Sequence, residues 1–324
     1  MHLEFLPLAM LALDDVLRRG TGRDALRLGA FAALQMLCSG YLLVMTGIAI
    51  GAGVVVRGGE WLGTQWRTRL PALAIAGAIA AVICAPFLYQ YWRVQHDQGL
   101  TRSVDEVRLY AGVWQNFLAT GARLHYETWA ARFFAAANSA AFPGVVPLVL
   151  AAVALVRAVA WRDPRARMWL AAGIAGAALS FGPALPGYSL LYDAVPVLQG
   201  IRAVARFALL PLLATGVLAA FGLAAIRTRL VAAERRRLAQ VLGIAAVVLV
   251  NVENTRVPMV FVRFDGVPAI YATLATIPGA VVAELPFPEP GRVTVNARAV
   301  HASTRHWRPL LNGYSGYTPR SNAR

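Results

Sequence analysis

Long uncharged segments alternate with short arginine-rich segments along most of this chain. One uncharged run, residues 207–226, has about the 20 residues that an α-helix needs to cross a bilayer. The other uncharged runs are residues 28–56, 70–92, 138–156, 168–183 and 238–252. The pattern therefore predicts an all-α polytopic membrane helix bundle of six or seven spans, preceded by a shorter apolar remnant.

The arginine-rich segments indicate which side of a membrane each connection faces. They are residues 17–27, 57–69, 157–167 and 227–237. The positive-inside rule places all four in the cytoplasm. This alternation holds if residues 28–56 cross out and back as two helices that meet near Ser39 and Gly40. The outer segment 93–137 and the outer loop 186–204 then face the opposite side.

The last part of the chain has a different pattern. Residues 1–252 are predicted to form the transmembrane bundle, and residues 253–324 a small extracytoplasmic α/β domain. Residues 281–285, followed by a proline-rich turn, are typical of a buried strand.

Composition agrees with a membrane protein. Of the 324 residues, 58% are hydrophobic and 15% charged, whereas soluble domains carry about 25% charged residues. The mean hydropathy is +0.55. The net charge of +15 comes from arginines that lie between apolar runs rather than on one polar face, so topology explains it and no nucleic-acid partner is expected. Cys38 and Cys84 lie in apolar stretches and are expected to be buried thiols rather than metal ligands.

Two arginines precede the 207–226 run and are the sharpest candidates for binding. Arg202 and Arg206 are four residues apart, so on a helix they would share a face. Guanidinium groups match the geometry of phosphate, and the pair would clamp the phosphate of a lipid-linked sugar. The alternative is that both arginines extend to the membrane surface and pair with ordinary lipid phosphates or with Asp193.

Adjacent carboxylates in the outer segment are the weaker, catalytic candidates. Asp105 or Glu106 would act as a general base on a sugar hydroxyl, or would hold a divalent metal ion, the one cofactor considered. The alternative is a solvated helix face with short-range ion pairs to Arg102 and Arg108. No pair of histidine and acidic residues has the spacing of a zinc site, so no metal site is assigned.

A stretch near the C-terminus, HWRPLLNGYSGYTP, is dense in aromatic, glycine and polar residues. Such loops stack on sugar rings and bind their hydroxyls. The alternative is a structured turn that docks the domain. The candidate sugar-contact residues are His306, Trp307, Arg308, Asn312 and Tyr314.

Several function classes are not indicated. Neither a P-loop nor a GxGxxG motif is present, and no Ser-His-Asp partners are discernible. A nucleotide-driven soluble enzyme is therefore not expected.

Two segments, LLYDAVPVLQGIRAVARFALLPLLATGVLAAFGLA and HASTRHWRPLLNGYSGYTP, together with HLEFLPLAMLAL and LQMLCSGYLLV, resemble a group of bacterial polytopic membrane proteins. This YfhO-like group is related to the GT-C glycosyltransferases, which use polyprenyl-phosphate-linked sugars outside the cytoplasm. The resemblance implies a helix bundle in the bacterial inner (cytoplasmic) membrane with large extracytoplasmic loops.

The resemblance also implies a catalytic acid in the first outer loop, just after the first transmembrane helix. This chain begins past that point, so no catalytic residue carries over, and Arg202 and Arg206 remain as lipid-phosphate contacts. The expected function is that of a GT-C-type glycosyltransferase-like protein that handles lipid-linked sugars. The alternatives are a non-catalytic protein that binds or moves a lipid or polysaccharide intermediate, and an inactive fragment.

Overall fold

The computed structural model describes residues 2–63, 65–99, 102–256, 263–287 and 293–313. It divides into two compact units, Met1–Pro258 and Met259–Arg324. The described residues of the first unit are mainly α-helical, whereas those of the second unit lie mostly outside helices.

The α-helices of the first unit range from three to 33 residues in length. They are α1 (Phe5–Arg19), α2 (Gly22–Leu37), α3 (Gly40–Val56), α4 (Gly58–Trp61), α5 (Trp66–Gln98), α6 (Val104–Leu109), α7 (Arg123–His125), α8 (Ala131–Phe134), α9 (Val145–Val156), α10 (Val159–Arg162), α11 (Pro164–Ser180), α12 (Tyr188–Ala194), α13 (Leu209–Ala232) and α14 (Arg236–Glu253). Turns of 3₁₀ helix lie at Trp114–Phe117, Gly182–Ala184, Pro196–Gly200 and Val204–Ala208, and a π-helical turn lies at Tyr126–Ala130.

The helices pack as a chain of neighbours. α2 lies against α1 and α5, α11 lies between α3 and α13, and α13 also packs on α9. At the last contact Gly222 is so close to the backbone of Leu150 that a Cβ atom would overlap its carbonyl oxygen. Small residues at such contacts let helix backbones approach closely, as is common between membrane helices.

The predicted break at Ser39 and Gly40 is confirmed. α2 ends at Leu37, and the Ser39 hydroxyl accepts a hydrogen bond from the Tyr41 N–H (3.3 Å) at the start of α3. A serine at this position satisfies one of the unpaired N–H groups of a helix N-terminus.

The basic turn predicted at residues 17–27 is present but shorter than predicted, since it comprises only Gly20 and Thr21. α1 continues to Arg19, Gly20 ends it with a left-handed φ of 69°, and α2 begins at Gly22. Thr21 caps α2 by accepting a hydrogen bond from the Asp24 N–H (3.2 Å). All four arginines of this segment therefore lie on helices rather than in the turn.

Two helices in the described part of the chain are long and apolar enough to cross a membrane, Trp66–Asp97 and Val204–Ala232. Gly40–Val56 and Val145–Val156 are apolar but shorter. The predicted six or seven full spans are thus represented by two helices of sufficient length and several shorter ones. The coarser conclusion, an all-α protein with segments suited to a membrane, holds.

The second unit contains helices α15 (Ile270–Ala275) and α16 (Ala297–Ser303) and a 3₁₀ turn at Val293–Asn296. Its described residues contain no strand, so the strand predicted at 281–285 is wrong and the α/β domain gains no support. A single parallel bridge joins Val282 to Leu310. The pairing stops there because the Asn312 side chain, rather than a neighbouring strand, binds the N–H (2.6 Å) and the carbonyl (2.7 Å) of Glu284.

Candidate functional site

Arg202 lies in the short extended segment that leads to the 3₁₀ turn before α13. Its guanidinium carbon is 4.6 Å from the centre of the Tyr110 ring. Its Nη1 atom is 3.8 Å from Glu106 Oε1. The structure therefore brings one predicted carboxylate next to one predicted phosphate-binding arginine.

Glu106 is held at the start of α6. The Ser103 hydroxyl accepts its backbone N–H (3.1 Å), which caps the helix. Arg102 Nη1 donates to Glu106 Oε1 (2.9 Å), so this oxygen lies between two guanidinium groups. The carboxylate is thereby positioned, and it also offsets part of the charge of Arg202.

Arg206 lies in the 3₁₀ turn, and its guanidinium carbon is 4.6 Å from the centre of the Tyr41 ring. The Tyr41 hydroxyl accepts a hydrogen bond (3.0 Å) from the N–H of Ala203, a residue that lies between the two arginines in the sequence. This bond fixes the position of the Tyr41 ring. Arg206 is exposed, and among the described residues no carboxylate lies within ion-pair distance of it.

The prediction that Arg202 and Arg206 share a helix face is wrong. Arg202 precedes the helical residues, and Arg206 lies in a turn with three residues per turn rather than 3.6. The two side chains instead stack on tyrosines from two different helical regions, Tyr110 after α6 and Tyr41 in α3.

Buried tyrosines and backbone hydrogen bonds hold this surface together. The Tyr192 hydroxyl donates to the Arg102 carbonyl, and the Arg102 N–H donates to the Gln199 carbonyl (3.1 Å). Burial, with a smaller effect of Tyr192, raises the pKa of Tyr188 to about 12, so this phenol stays neutral. The segments that carry Glu106 and Arg202 are thus fixed to each other.

Asp105 does not join the site. It pairs with Arg108 at 2.9 Å, and its side chain is 86% exposed. For Asp105 the structure therefore shows a solvated ion pair, which was the alternative to a catalytic or metal-binding role. Among the residues that the structure describes, no group of three or more His, Cys, Asp or Glu could hold a metal ion.

A second cluster of arginines and carboxylates, the Asp14 cluster, joins α1, α3, α4 and α11. Arg57 Nη1 is 2.6 Å from Asp14 Oδ1, and Arg57 also pairs with Glu60. Arg165 reaches Asp14 at 2.8 Å, and Arg167 reaches Glu60 at 3.3 Å. Since Arg57 and Asp14 are fully buried and mutually paired, this cluster is structural.

A contact that sequence reasoning missed joins His125 to Glu253. The Glu253 carboxylate accepts from His125 Nε2 (2.7 Å), from the Val146 N–H (2.9 Å) and from the Val145 N–H. Trp129 Nε1 donates to His125 Nδ1 (3.3 Å). The carboxylate caps the N-terminus of α9, where negative charge is favourable. The sequence contains one indication of this contact. Gly144 precedes α9 and has no side chain that could cap the helix, so the cap has to come from another residue.

The candidates in the second unit separate into buried and exposed side chains. His306 is 4% exposed and Asn312 is buried, whereas Trp307 is 83% exposed. Arg308 Nη2 donates to the Ala275 carbonyl (2.5 Å). Tyr314 lies outside the described residues.

No family model, curated protein or solved structure matched this chain.

Proposed function

We propose that this chain is a membrane-embedded, GT-C-like protein that binds the phosphate group of a lipid-linked sugar at Arg202 and Arg206. The observation that carries the proposal is the stacking of both guanidinium groups on tyrosine rings at the start of an apolar helix. Stacking uses the face of a guanidinium and leaves the N–H groups in its plane available. Those N–H groups match the oxygens of a phosphate.

Side-chain exposure supports a bilayer around α5. Large apolar residues of this helix are solvent-exposed, among them Val82 (74%), Phe87 (57%) and Tyr91 (70%). About 22% of its apolar window is buried, and 28% for the helix that contains α13, whereas the core helix of a soluble protein would be mostly buried. Apolar surfaces of this size need a cover, and lipid chains supply one.

A lipid headgroup is also the natural ligand for this position. Arg202 and Arg206 lie just before the uncharged run of α13, where a membrane-spanning helix would leave the bilayer. Phosphates of lipids lie at that depth, so a polyprenyl-phosphate-linked sugar would reach the arginines without leaving the membrane.

The test compares binding of polyprenyl phosphate with binding of the uncharged polyprenol, in nanodiscs of neutral lipid. The Arg202→Ala, Arg206→Ala double variant should bind polyprenyl phosphate about 100-fold more weakly or worse, because two charge-assisted contacts are lost. Arg108→Ala is the matched control, since this arginine lies in the same outer segment but pairs with the exposed Asp105. Equal affinities of the double variant and the control would refute the phosphate site.

A second candidate function is transfer of the sugar, with Glu106 as the acid or base. The distance of 3.8 Å between Glu106 and Arg202 favours it, since a carboxylate there would lie close to a bound phosphate sugar. Glu106→Gln should then lower the rate of sugar release from a polyprenyl-phosphate sugar by about 100-fold or more and leave binding intact. If the unaltered protein binds the lipid but releases no sugar, the non-catalytic alternative, a protein that binds or moves the intermediate, is correct.

A further inference from the structure

Five arginines cluster where α13 ends and α14 begins, in residues 227–237, which we name the arginine turn. They are Arg227, Arg229, Arg235, Arg236 and Arg237. All five are exposed. Glu234 is the one carboxylate of this segment, and in the described part of the chain neither Glu234 nor any of the five arginines forms an ion pair. The arginine turn is therefore a positively charged surface without an internal counter-charge.

The backbone of the arginine turn has a defined conformation. The Arg235 N–H donates to the Leu230 carbonyl (2.8 Å), and the Glu234 N–H donates to the Val231 carbonyl (3.1 Å). These two bonds form a Schellman motif, with Glu234 at its left-handed position (φ 60°). Only residues 233–235 separate the two helices, which pack against each other. The arginines of α13 and of α14 are thus held at the same end of this helix pair.

An exposed apolar surface of α14 begins where the arginine turn ends. Seven large side chains of this helix are 48–67% exposed: Leu238, Val241, Ile244, Val247, Val248, Leu249 and Val252. No charged residue lies between positions 238 and 252. The buried residues of α14 are Ala239, Ala246 and Glu253, which are seven residues apart, so the helix contacts α13 and α9 along a narrow stripe. Most of the apolar surface of α14 therefore needs a cover.

The side chain of Arg227 connects the charged surface with the apolar one. A Cβ atom at Gly243 of α14 would be 3.5 Å from Arg227 Nε and 3.6 Å from its Cζ, so this guanidinium lies against α14. The neighbouring Ile244 is 67% exposed. Positive charge and exposed apolar surface thus meet on one helix.

This combination matches the two parts of an acidic phospholipid. Acyl chains cover apolar helix surfaces, and a phosphate-containing headgroup accepts hydrogen bonds from guanidinium groups. Near an anionic membrane surface, each arginine strengthens the attraction roughly fivefold. A soluble polyanion would pair with the arginines but would leave the apolar surface of α14 uncovered.

We propose that the arginine turn and the adjoining surface of α14 bind acidic phospholipids such as phosphatidylglycerol. The inference rests on the membrane location in the proposed function but not on the phosphate site. Arg202 and Arg206 lie at the start of the apolar helix Val204–Ala232, whereas the arginine turn lies at its end.

The experiment reconstitutes the full chain into phosphatidylcholine bilayers with a trace of spin-labelled phosphatidylglycerol or spin-labelled phosphatidylcholine. The motionally restricted fraction in the EPR spectrum gives the relative affinity of each lipid for the protein. At low ionic strength we expect a preference of about threefold or more for phosphatidylglycerol, averaged over all lipids in contact with the protein. The preference should disappear in about 1 M salt, because exposed charges are then screened.

Two double variants with the same change in net charge test the position of the site. Arg236→Gln, Arg237→Gln removes two exposed arginines without an ion pair in the described part of the chain, and should reduce the preference to about half or less. Arg108→Gln, Arg123→Gln is the matched control, since these exposed arginines pair with carboxylates, and it should keep the preference. An equal fall in both variants would overturn the proposal, because net charge rather than the arginine turn would then decide.

Glu234→Gln tests the opposite direction. It removes the one carboxylate of the arginine turn and should raise the preference for phosphatidylglycerol about twofold or more. Arg202→Ala, Arg206→Ala should keep the preference even though it loses polyprenyl phosphate, so the two sites fail independently. Equal restriction of both labelled lipids by the unaltered protein would overturn the proposal and would point to a soluble polyanion as the partner of the arginines.

Discussion

Arginines occur in two contrasting settings in the first unit. In the Asp14 cluster, Arg57 is completely buried and binds the carboxylates of both Asp14 and Glu60. At the proposed phosphate site, Arg206 is exposed, stacks on Tyr41 and has no carboxylate within ion-pair distance in the described part of the chain. Arg202 is intermediate, with Glu106 at 3.8 Å. The number of carboxylates within ion-pair distance therefore distinguishes a structural arginine from a candidate binding arginine.

The largest expected effect is a loss of stability when Arg57, the arginine with two carboxylate partners, is removed. Arg57→Ala leaves Asp14 and Glu60 with one partner fewer, and removing one member of a buried ion pair costs about 3–5 kcal/mol. Unfolding by a denaturing detergent would measure the loss. Arg206→Ala is the control and should change the free energy of unfolding by less than about 1 kcal/mol. Equal losses for the two variants would remove the distinction.

A carboxylate placed next to Arg206 should pair with this arginine and so compete with a bound phosphate. In Tyr41→Glu the stacking ring is replaced by an acidic partner, so binding of polyprenyl phosphate should weaken by about 1–2 kcal/mol, roughly tenfold. Lipid binding in nanodiscs is the measurement. An affinity equal to that of the unaltered protein would mean that carboxylate supply does not control this site.

Removal of the ring alone should have a smaller effect. Tyr41→Leu keeps Arg206 free of carboxylates but removes its stacking surface, which contributes about 0.5–1 kcal/mol at exposed positions. The affinity for polyprenyl phosphate should fall severalfold, with Tyr89→Leu, an exposed tyrosine of α5, as the control. A loss as large as that of Tyr41→Glu would show that the ring, and not the missing carboxylate, is decisive.

A further test concerns the ion pair between Arg19 and the buried Asp24 at the start of α2. A hydrogen bond from Arg19, assisted by Thr21 and opposed by burial, lowers the pKa of Asp24 from 3.8 to about 2. Because the folded-state pKa is below the ordinary value, the carboxylate stabilises the fold above about pH 4, and this contribution is lost as the pH falls towards 2. The difference in thermal midpoint between the unaltered protein and Asp24→Asn should shrink over that interval. A difference that is constant with pH would contradict the assignment.

Local signals in the sequence predicted the helical parts of the fold well. The serine and glycine at residues 39 and 40 end one helix and cap the next, because their effect is confined to neighbouring backbone groups. The turn in the basic segment 17–27 is shorter than predicted, because the number of arginines indicates membrane topology but says little about backbone conformation. The apolar run at 281–285 failed as a strand because Asn312, 28 residues further along the chain from Glu284, takes the hydrogen bonds.

The candidate site was predictable in its residues but not in its arrangement. Arg202, Arg206 and Glu106 were identified from residue type and position along the chain. Their tyrosine partners were not, because Tyr41 and Arg206 are brought together by packing of segments far apart in sequence. The same reason hid the contact of His125 with Glu253, which spans 128 residues.

The arginine partners of Asp14 are synthesised at different times. Asp14 meets Arg18 within its own helix, Arg57 43 residues later in the chain, and Arg165 151 residues after it. Since a chain is synthesised from its N-terminus, these partners become available one after another. A nascent chain halted before residue 165 should lack the last of these contacts, so the docking of α11 completes the cluster during biosynthesis.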